Sequence, residues 1–170
     1  MYQLYEKNVE NHEGRMEIDV SVLNALEPPP DLERLEIDRY WSTTMFPNWM
    51  MSLAKLKVLT LSGGENLERL PPLGKLQFLE DLYIGCGNGD SFPFKKVGVE
   101  FLEIESENKK DGIIKIFPNL KTLQFLFLDE WEEWIGIGGQ DEENCIIIMP
   151  CLKMLEICIC PKLKSAGLPF

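Results

Sequence analysis

The chain contains 170 residues, a length typical of one domain, and 45% of them are hydrophobic, which is ample for a continuous buried core. Its 28 acidic and 17 basic side chains give a formal net charge of −11. Because such a charge repels phosphate groups and anionic lipid headgroups, the composition disfavours nucleic acid and membrane surfaces as partners.

Targeting features of the sequence predict a cytoplasmic or nucleocytoplasmic protein. No segment approaches the roughly 18 apolar residues that a membrane-spanning helix needs, and charged residues interrupt the apolar runs near the N-terminus, unlike those of a signal peptide. The cysteines are odd in number and concentrated toward the C-terminus, unlike a secreted disulfide framework. They are Cys86, Cys145, Cys151, Cys158 and Cys160.

Residues 1–29 are predicted to form an N-terminal flank. Residues 1–17 are polar, with mixed charge and no clear periodicity, so we expect disorder or fragmentary structure there. Residues 20–27 fit two helical turns that end at three consecutive prolines, 28–30, because proline cannot continue a helix. We expect this short helix to cover one end of the folded region that follows.

From residue 30 to residue 170, a template of the form Leu-x-x-Leu-x-apolar recurs five times. Its first leucines are Leu32, Leu56, Leu79, Leu120 and Leu152. The steps between them are 24, 23, 41 and 32 residues, and the first two match the roughly 20 to 29 residues of a leucine-rich repeat. The two longer steps therefore contain insertions.

The template predicts a strand in each repeat. Successive strand side chains point to opposite faces, so the second and third apolar positions turn inward and the residue between them faces outward. One repeat cannot bury its own apolar face, so neighbouring repeats stack. The predicted fold class is an α/β-type leucine-rich-repeat solenoid, with a curved parallel sheet on its concave face and a mostly irregular or short helical convex side.

Five apolar triplets arising by chance in another α/β fold are the alternative. The prolines at positions 30, 118 and 150 disfavour it, because each stands two residues before a first leucine, where a fixed φ suits the corner entering a strand. If the solenoid is correct, non-leucine residues in and beside each strand supply the candidate binding face. They are Glu33, Arg34, Glu36, Asp38, Lys57, Thr60, Asp81, Tyr83, Lys121, Gln124, Lys153 and Glu156.

Two segments depart from the repeat. For residues 85–116 we favour a convex-side insertion over a degenerate sixth repeat near 97–105, because residues 113–117 already lead into Leu120. Residues 129–134 combine two tryptophans with four acids, which indicates either an interaction surface or rings packed on the convex side beneath solvated acids. We favour the packed interpretation.

The sequence offers little chemistry for catalysis. The single histidine, His12, lies in the flank, so no Ser-His or Cys-His relay is expected. Cys158 and Cys160 lack the spacing and additional ligands of a zinc site, and glycines 136, 138 and 139 lack the Lys-Ser/Thr of a phosphate loop. We therefore predict no enzyme activity, no metal and no cofactor in this chain.

Several strings together resemble the C-terminal repeats of plant nucleotide-binding leucine-rich-repeat disease-resistance proteins, of the coiled-coil class and resistance-gene-analogue type. They are LEPPPDLERLEI (26–37), FPNWM (46–50), LKVLTLSGGENLERLPPLGKL (56–76), FPNLKTL (117–123), EWEEW (130–134) and MPCLKMLEICICPKLKSAGLP (149–169). The resemblance covers nearly all of residues 20–170. The terminal residues 165–170 depart from it, because the family's repeat normally continues past the proline.

The resemblance implies a pathogen-sensing module that also holds a receptor in its inactive state. Its implied partners are a pathogen effector or a guarded host protein, together with the nucleotide-binding domain of the parent receptor. ADP or ATP is implied only for that upstream domain, because this chain has no phosphate-loop motif. The alternative is the substrate-receptor repeat of a ubiquitin ligase or another interaction scaffold.

Overall fold

The computed structural model describes most of the chain. The described residues are 2–4, 21–26, 28–38, 47, 49–64, 67–86, 92–102, 114–135 and 146–166. The strands are β1 (Tyr2–Leu4), β2 (Arg34–Asp38), β3 (Val58–Ser62), β4 (Asp81–Gly85), β5 (Lys96–Val97), β6 (Ile114–Ile116), β7 (Thr122–Leu126), β8 (Glu133–Trp134), β9 (Ile146–Ile148), β10 (Met154–Cys158) and β11 (Ser165–Ala166). The helical segments are α1 (21–25), α2 (Val99–Leu102) and the 3-10 turns η1 (Met50–Ser52) and η2 (Leu73–Lys75).

The main sheet has six parallel strands in the order β1-β2-β3-β4-β7-β10. The second leucine of each template aligns across it, so that Leu35, Leu59, Leu82, Leu123 and Leu155 form one row. This row turns inward, because strand side chains alternate between the two faces. The predicted leucine-rich-repeat solenoid is confirmed.

Two smaller parallel sheets complete the solenoid. One has the order β5-β8-β11, and the other pairs β6 with β9. Each joins segments from different repeats, so the chain passes through successive sheets as it winds. An apolar core lies between them, since an isolated repeat cannot bury its own leucines.

Aromatic side chains fill the core beneath β7. The ring of Phe125 lies 4.9 Å from that of Trp131 and 5.2 Å from that of Trp134, measured between centroids. Phe101 and Phe117 continue the cluster, with centroids 5.3 Å apart. All five side chains are at most 2% exposed. Offset and edge-on ring pairs of this kind stabilise a core beyond the area that they bury.

Helix α1 lies between β1 and β2 in the chain and packs against the core. Leu23 of this helix is 3% exposed, and its carbonyl oxygen accepts a hydrogen bond of 2.6 Å from Nε1 of Trp49. The helix was predicted over 20–27, and residues 21–25 are helical in the described part. This contact ties α1 to the turn that precedes η1.

The structure differs from the predicted boundary at residue 30. Strand β1, inside the predicted flank, pairs in parallel with β2 and places Gln3 beside Glu36. The described part of the sheet therefore includes residues 2–4. Tyr2 and Leu4 align with Leu35 and Ile37, so these residues carry the apolar-x-apolar end of the template without its first leucine.

The described part of the 85–116 segment packs into the stack. Strand β4 pairs directly with β7, so residues 92–102 contribute no strand to the main sheet, which favours an insertion over an additional repeat. Strand β5 instead joins β8. The side chains of Phe92, Phe94 and Phe101 are at most 1% exposed, so this segment supplies core.

Among the described residues, the C-terminal repeat has a neighbouring repeat on one side. Leu155 and Ile157 of β10 are half-buried, whereas their counterparts in β7, Leu123 and Phe125, are 0% exposed. Strand β10 stands at the edge of the main sheet.

In the described residues, no helix is both long and apolar enough to span a membrane.

Candidate functional site

The candidate site is the concave face of the main sheet, formed by the first, third and fifth residues of its strands. Eight predicted residues occupy such positions. They are Arg34, Glu36 and Asp38 on β2, Thr60 on β3, Asp81 and Tyr83 on β4, Gln124 on β7 and Glu156 on β10. Adjacent strands in a sheet lie about 4.8 Å apart, so these side chains form neighbouring columns.

The other four predicted residues stand one position before the strands. Glu33 and Lys57 are ion-paired, with Nζ to Oε1 at 2.7 Å, and Lys121 pairs with Glu80 at 2.6 Å. The hydrogen bond from Lys57 holds the pKa of Glu33 below its usual value. Glu33, Lys57, Lys121 and Lys153 therefore border the face, and the paired ones tie neighbouring repeats together.

Polar side chains also pair on the face itself. Ser62 Oγ donates a hydrogen bond of 2.9 Å to Asp38 Oδ1, and Gln124 Nε2 donates one of 2.6 Å to Glu156 Oε2. Each bond joins neighbouring strands of the main sheet. These four residues are thus oriented before any ligand arrives, which lowers the entropy lost on binding.

An open groove of about 390 Å³ occupies the middle of the concave face. Its walls include Arg34 on one side and Asp81, Tyr83 and Gln124 on the other, and its floor includes Val58 and Thr60. The floor residues belong to β3, the strand between β2 and β4. The groove exists because β3 carries short side chains where its neighbours carry longer ones.

Two charges in this groove are unpaired. Among the described residues, no ion pair or hydrogen bond involves the side chain of Arg34 or Asp81, although the nearby charges of Lys57 and Lys121 are satisfied. Arg34 aligns with Val58 and Val58 with Asp81. The two opposite charges therefore face one another across a single apolar residue.

Tyr83 lies over Gly85 in the same strand. A Cβ atom at Gly85 would stand 2.8 Å from the tyrosine hydroxyl oxygen and 2.8 Å from the carbonyl oxygen of Leu126. The ring thus occupies the space that a side chain at position 85 would need. Burial raises the pKa of Tyr83, so this hydroxyl stays protonated at neutral pH and serves as a hydrogen-bond donor.

The tryptophan–acid segment is not part of the concave face. Trp131 and Trp134 are 0% and 2% exposed, so the packed interpretation of both rings holds. Two of the acidic side chains also form ion pairs. Lys96 pairs with Glu133 at 2.8 Å, and Lys164 pairs with Glu132 at 2.9 Å. This segment therefore joins the core and an ion-pair network, and it does not form an apolar surface.

The structure brings no metal-ligand cluster together in the part of the chain that it describes. Cys158 is exposed and Cys160 is partly buried, and burial raises the pKa of the Cys160 thiol, which disfavours the thiolate that metals bind. His12 and Cys145 lie outside the described residues. So do glycines 136, 138 and 139.

Sequence reasoning missed several residues of the same surface. Val58, Ser62, Thr122 and Met154 occupy outward positions in their strands. The alternation that identified Thr60 and Gln124 also applies to positions two residues away. That alternation was a sufficient signal, but the prediction was restricted to one central row and to selected neighbours.

Comparison with known proteins gives the class of the repeat. Residues 4–86 match the family model described as R13L1/DRL21 leucine-rich repeats. No solved structure matches the chain. The six in-register strands and this match define a leucine-rich-repeat protein.

Similar curated proteins indicate which type of leucine-rich-repeat protein this chain resembles. The chain is 29% identical over 162 residues to "Putative disease resistance RPP13-like protein 1" of Arabidopsis thaliana, a match that covers 94% of this chain and 14% of the relative. It is 33% identical over 151 residues to "Putative disease resistance protein RGA1" of Solanum bulbocastanum, covering 88% of this chain and 13% of the relative. Over 145 residues it is 28% identical to "Putative disease resistance protein RGA4" of the same species, covering 84% and 13%.

The repeats of this chain are similar to those of plant disease-resistance proteins. The resemblance carried by the sequence motifs is thereby confirmed. The chain spans about one seventh of the length of the first of these relatives. The leucine-rich repeats of such proteins are protein-interaction scaffolds, which agrees with a polar, groove-bearing sheet face.

Proposed function

We propose that this chain is the recognition module of an intracellular plant immune receptor and that it binds protein ligands through its concave face. One observation carries the proposal. In a chain similar to disease-resistance proteins, the central outward residue of every template strand is polar, and the same face of the sheet contains an open groove. These central residues are Glu36, Thr60, Tyr83, Gln124 and Glu156. Repeat proteins use extended concave surfaces of this kind for binding.

The proposal assigns a pathogen effector or a guarded host protein as the ligand. It also assigns a restraining contact with the nucleotide-binding domain of the parent receptor. ATP or ADP binding belongs to that domain, and this chain acts without enzyme activity, metal or cofactor of its own. The net charge of −11 supports protein partners over nucleic acid, which would be repelled. The cytoplasm, including exchange with the nucleus, is the proposed compartment.

A two-hybrid screen of the full 170-residue chain against a library of plant-pathogen effectors and host proteins tests this function. Partners are then retested with Glu36→Lys plus Glu156→Lys, which reverses two charges on the concave face. The matched control, Glu68→Lys plus Glu100→Lys, makes the same change of net charge at exposed positions away from that face. We expect the concave variant to lose the partners and the control to keep them.

The same pair of variants tests defence activity in the plant. Each double substitution is introduced at the chromosomal locus, and resistance to a panel of pathogens and spontaneous cell death are scored. We expect the concave variant alone to change one of these responses. Partners and responses that survive both variants equally contradict the proposal, because recognition would then lie elsewhere.

A further inference from the structure

The groove on the concave face contains an unusual arrangement of charge. Arg34 and Asp81 lie on strands separated by β3 alone, so their Cα atoms are about 10 Å apart, twice the spacing of adjacent strands. Neither side chain has an ion pair or a hydrogen bond among the described residues. The charges bordering the groove, Glu33 with Lys57 and Glu80 with Lys121, are by contrast neutralised in pairs.

We infer that this groove binds two oppositely charged side chains of a partner protein, a carboxylate at Arg34 and a cation at Asp81. The inference rests on the proposed recognition function and specifies the ligand for the same face. Arginine presents a planar fork of donors that matches a carboxylate, with two parallel hydrogen bonds. Asp81 accepts only, so it favours an ammonium or guanidinium group.

The floor of the groove suits such a pair. Val58, which lies between the two charges, offers an apolar surface to the aliphatic stems of long charged side chains. The hydroxyl of Thr60 and the side chain of Gln124 add hydrogen-bonding groups on the groove wall and floor. A single charge of either sign would leave one of the two protein charges without a partner.

The spacing sets the pattern on the partner. An acid and a base two residues apart in an extended segment are separated by about 6.6 Å along the strand. The side chains of Arg34 and Asp81 extend from opposite edges of the groove. The distance between their charged groups is therefore shorter than the distance between their Cα atoms. The expected ligand is therefore an extended segment with the pattern acid-x-base or base-x-acid.

Blocked tripeptides test the inference on the full 170-residue chain by NMR titration, with the backbone amides of β3 as reporters. The probes are acetyl-Glu-Ala-Arg-amide, acetyl-Gln-Ala-Arg-amide and acetyl-Glu-Ala-Gln-amide. We expect the doubly charged peptide to bind more tightly than either singly charged one, by up to about 5-fold, because an exposed pair contributes roughly 0.2 to 1 kcal/mol. Equal affinities would overturn the inference.

Two variants identify the charges responsible. Arg34→Gln is expected to abolish the preference for Glu over Gln in the peptide, and Asp81→Asn the preference for Arg over Gln. Lys115→Gln, at an exposed position on β6 outside the main sheet, is the matched control and keeps both preferences. If both preferences persist in Arg34→Gln and Asp81→Asn, the groove is not the binding site.

This test separates the ligand class from the function itself. If the tripeptides show no charge preference while Glu36→Lys plus Glu156→Lys still abolishes partner binding, the paired-charge ligand is wrong and recognition by the face stands. If the preference is found but no partner depends on the face, the groove binds such ligands without the proposed receptor role.

Discussion

The backbone carbonyl oxygen of Leu102 lies against Gly74 so closely that a Cβ atom at position 74 would overlap it. Leu102 ends α2, and Gly74 is the middle residue of η2. The two segments come from steps that the leucine template leaves unassigned, yet Leu102 is 1% exposed and Leu73, beside the glycine, is 0% exposed. The contact between them joins the 92–102 segment to the second regular repeat.

Replacing Gly74 with alanine should therefore destabilise the protein. The overlap involves backbone on both sides, and neither can move without disturbing a buried leucine, so we expect a loss of about 1–3 kcal/mol in the free energy of unfolding. Urea denaturation followed by circular dichroism measures it. Gly98→Ala is the matched control, because its Cβ would meet only the flexible carboxylate of exposed Glu100. Equal losses in the two variants would refute the explanation.

The two core tryptophans should differ in their tolerance of phenylalanine. Nε1 of Trp131 donates a hydrogen bond of 2.9 Å to the carbonyl oxygen of Glu133, whereas Nε1 of Trp134 is buried without a partner among the described residues. Trp131→Phe loses a bond worth about 1 kcal/mol. Trp134→Phe removes an unsatisfied donor whose burial costs roughly 1–3 kcal/mol. This gain in stability offsets part of the stability lost to the cavity that the smaller ring leaves.

We therefore expect Trp131→Phe to be more destabilising than Trp134→Phe by at least about 1 kcal/mol. Denaturation of both variants under one set of conditions measures the difference, and ring volume is matched because the substitution is identical. A larger loss in Trp134→Phe would show that its N–H is satisfied in solution.

The main sheet could be predicted because its signal is local. The fixed spacing of the apolar residues indicates that the side chains of Leu59 and Leu61 both turn inward. This inference needs no knowledge of the neighbouring repeat. Residues 92–102 carry no such pattern, and β1 carries only the last three positions of the template. They are held by long-range contacts, such as the backbone pairing of Tyr2 with Leu35, and nothing within either segment indicates its partner.

The candidate site was predictable only in part. Alternation identifies which residues share the concave face, but the unpaired state of Arg34 and Asp81 depends on the lateral register of three strands. The ion pair between Glu80 and Lys121 could not be predicted either, because the two residues are 41 positions apart in the sequence. They are adjacent in space only because β4 pairs with β7. The depth of the groove follows from side-chain sizes on three different repeats.

The pair formed by Glu132 and Lys164 should give a pH-dependent contribution to stability. The hydrogen bond from Lys164 holds the pKa of Glu132 below its usual value of 4.5, so folding favours the ionised carboxylate. This contribution is present above about pH 4.5 and is lost as pH falls through the lowered pKa of the folded state. Salt weakens it as well, since exposed pairs are screened.

Glu132→Gln tests this pair. The difference in unfolding free energy between the wild-type protein and the variant should be largest near neutral pH in low salt, and should shrink below pH 4.5 and in roughly 1 M NaCl. Glu68→Gln, at an exposed carboxylate without an ion partner among the described residues, is the control. A difference that does not change with pH would exclude the ion pair as its cause.

In the main sheet, the residue after each of three strands adopts a left-handed backbone conformation, and only one of these three residues is glycine. These residues are Gly63, Phe127 and Ile159, with φ of 59°, 57° and 55°. Left-handed backbone costs an L-residue roughly 1–2 kcal/mol, and a β-branched residue there is a steric outlier. Ile159 is 53% exposed, so its side chain recovers little of this cost through packing.

Ile159→Gly should consequently stabilise the protein by about 0.5–1 kcal/mol, because relief of the left-handed strain exceeds the greater flexibility that glycine gives to the unfolded chain. Ile159→Ala is the control, since it removes the side chain but keeps the Cβ atom and hence most of the strain. Gly63→Ala should do the reverse and destabilise, because it creates the strain at the equivalent position. Denaturation midpoints measure all three variants. If Ile159→Ala stabilises as much as Ile159→Gly, loss of the exposed side chain, and not relief of backbone strain, is the cause.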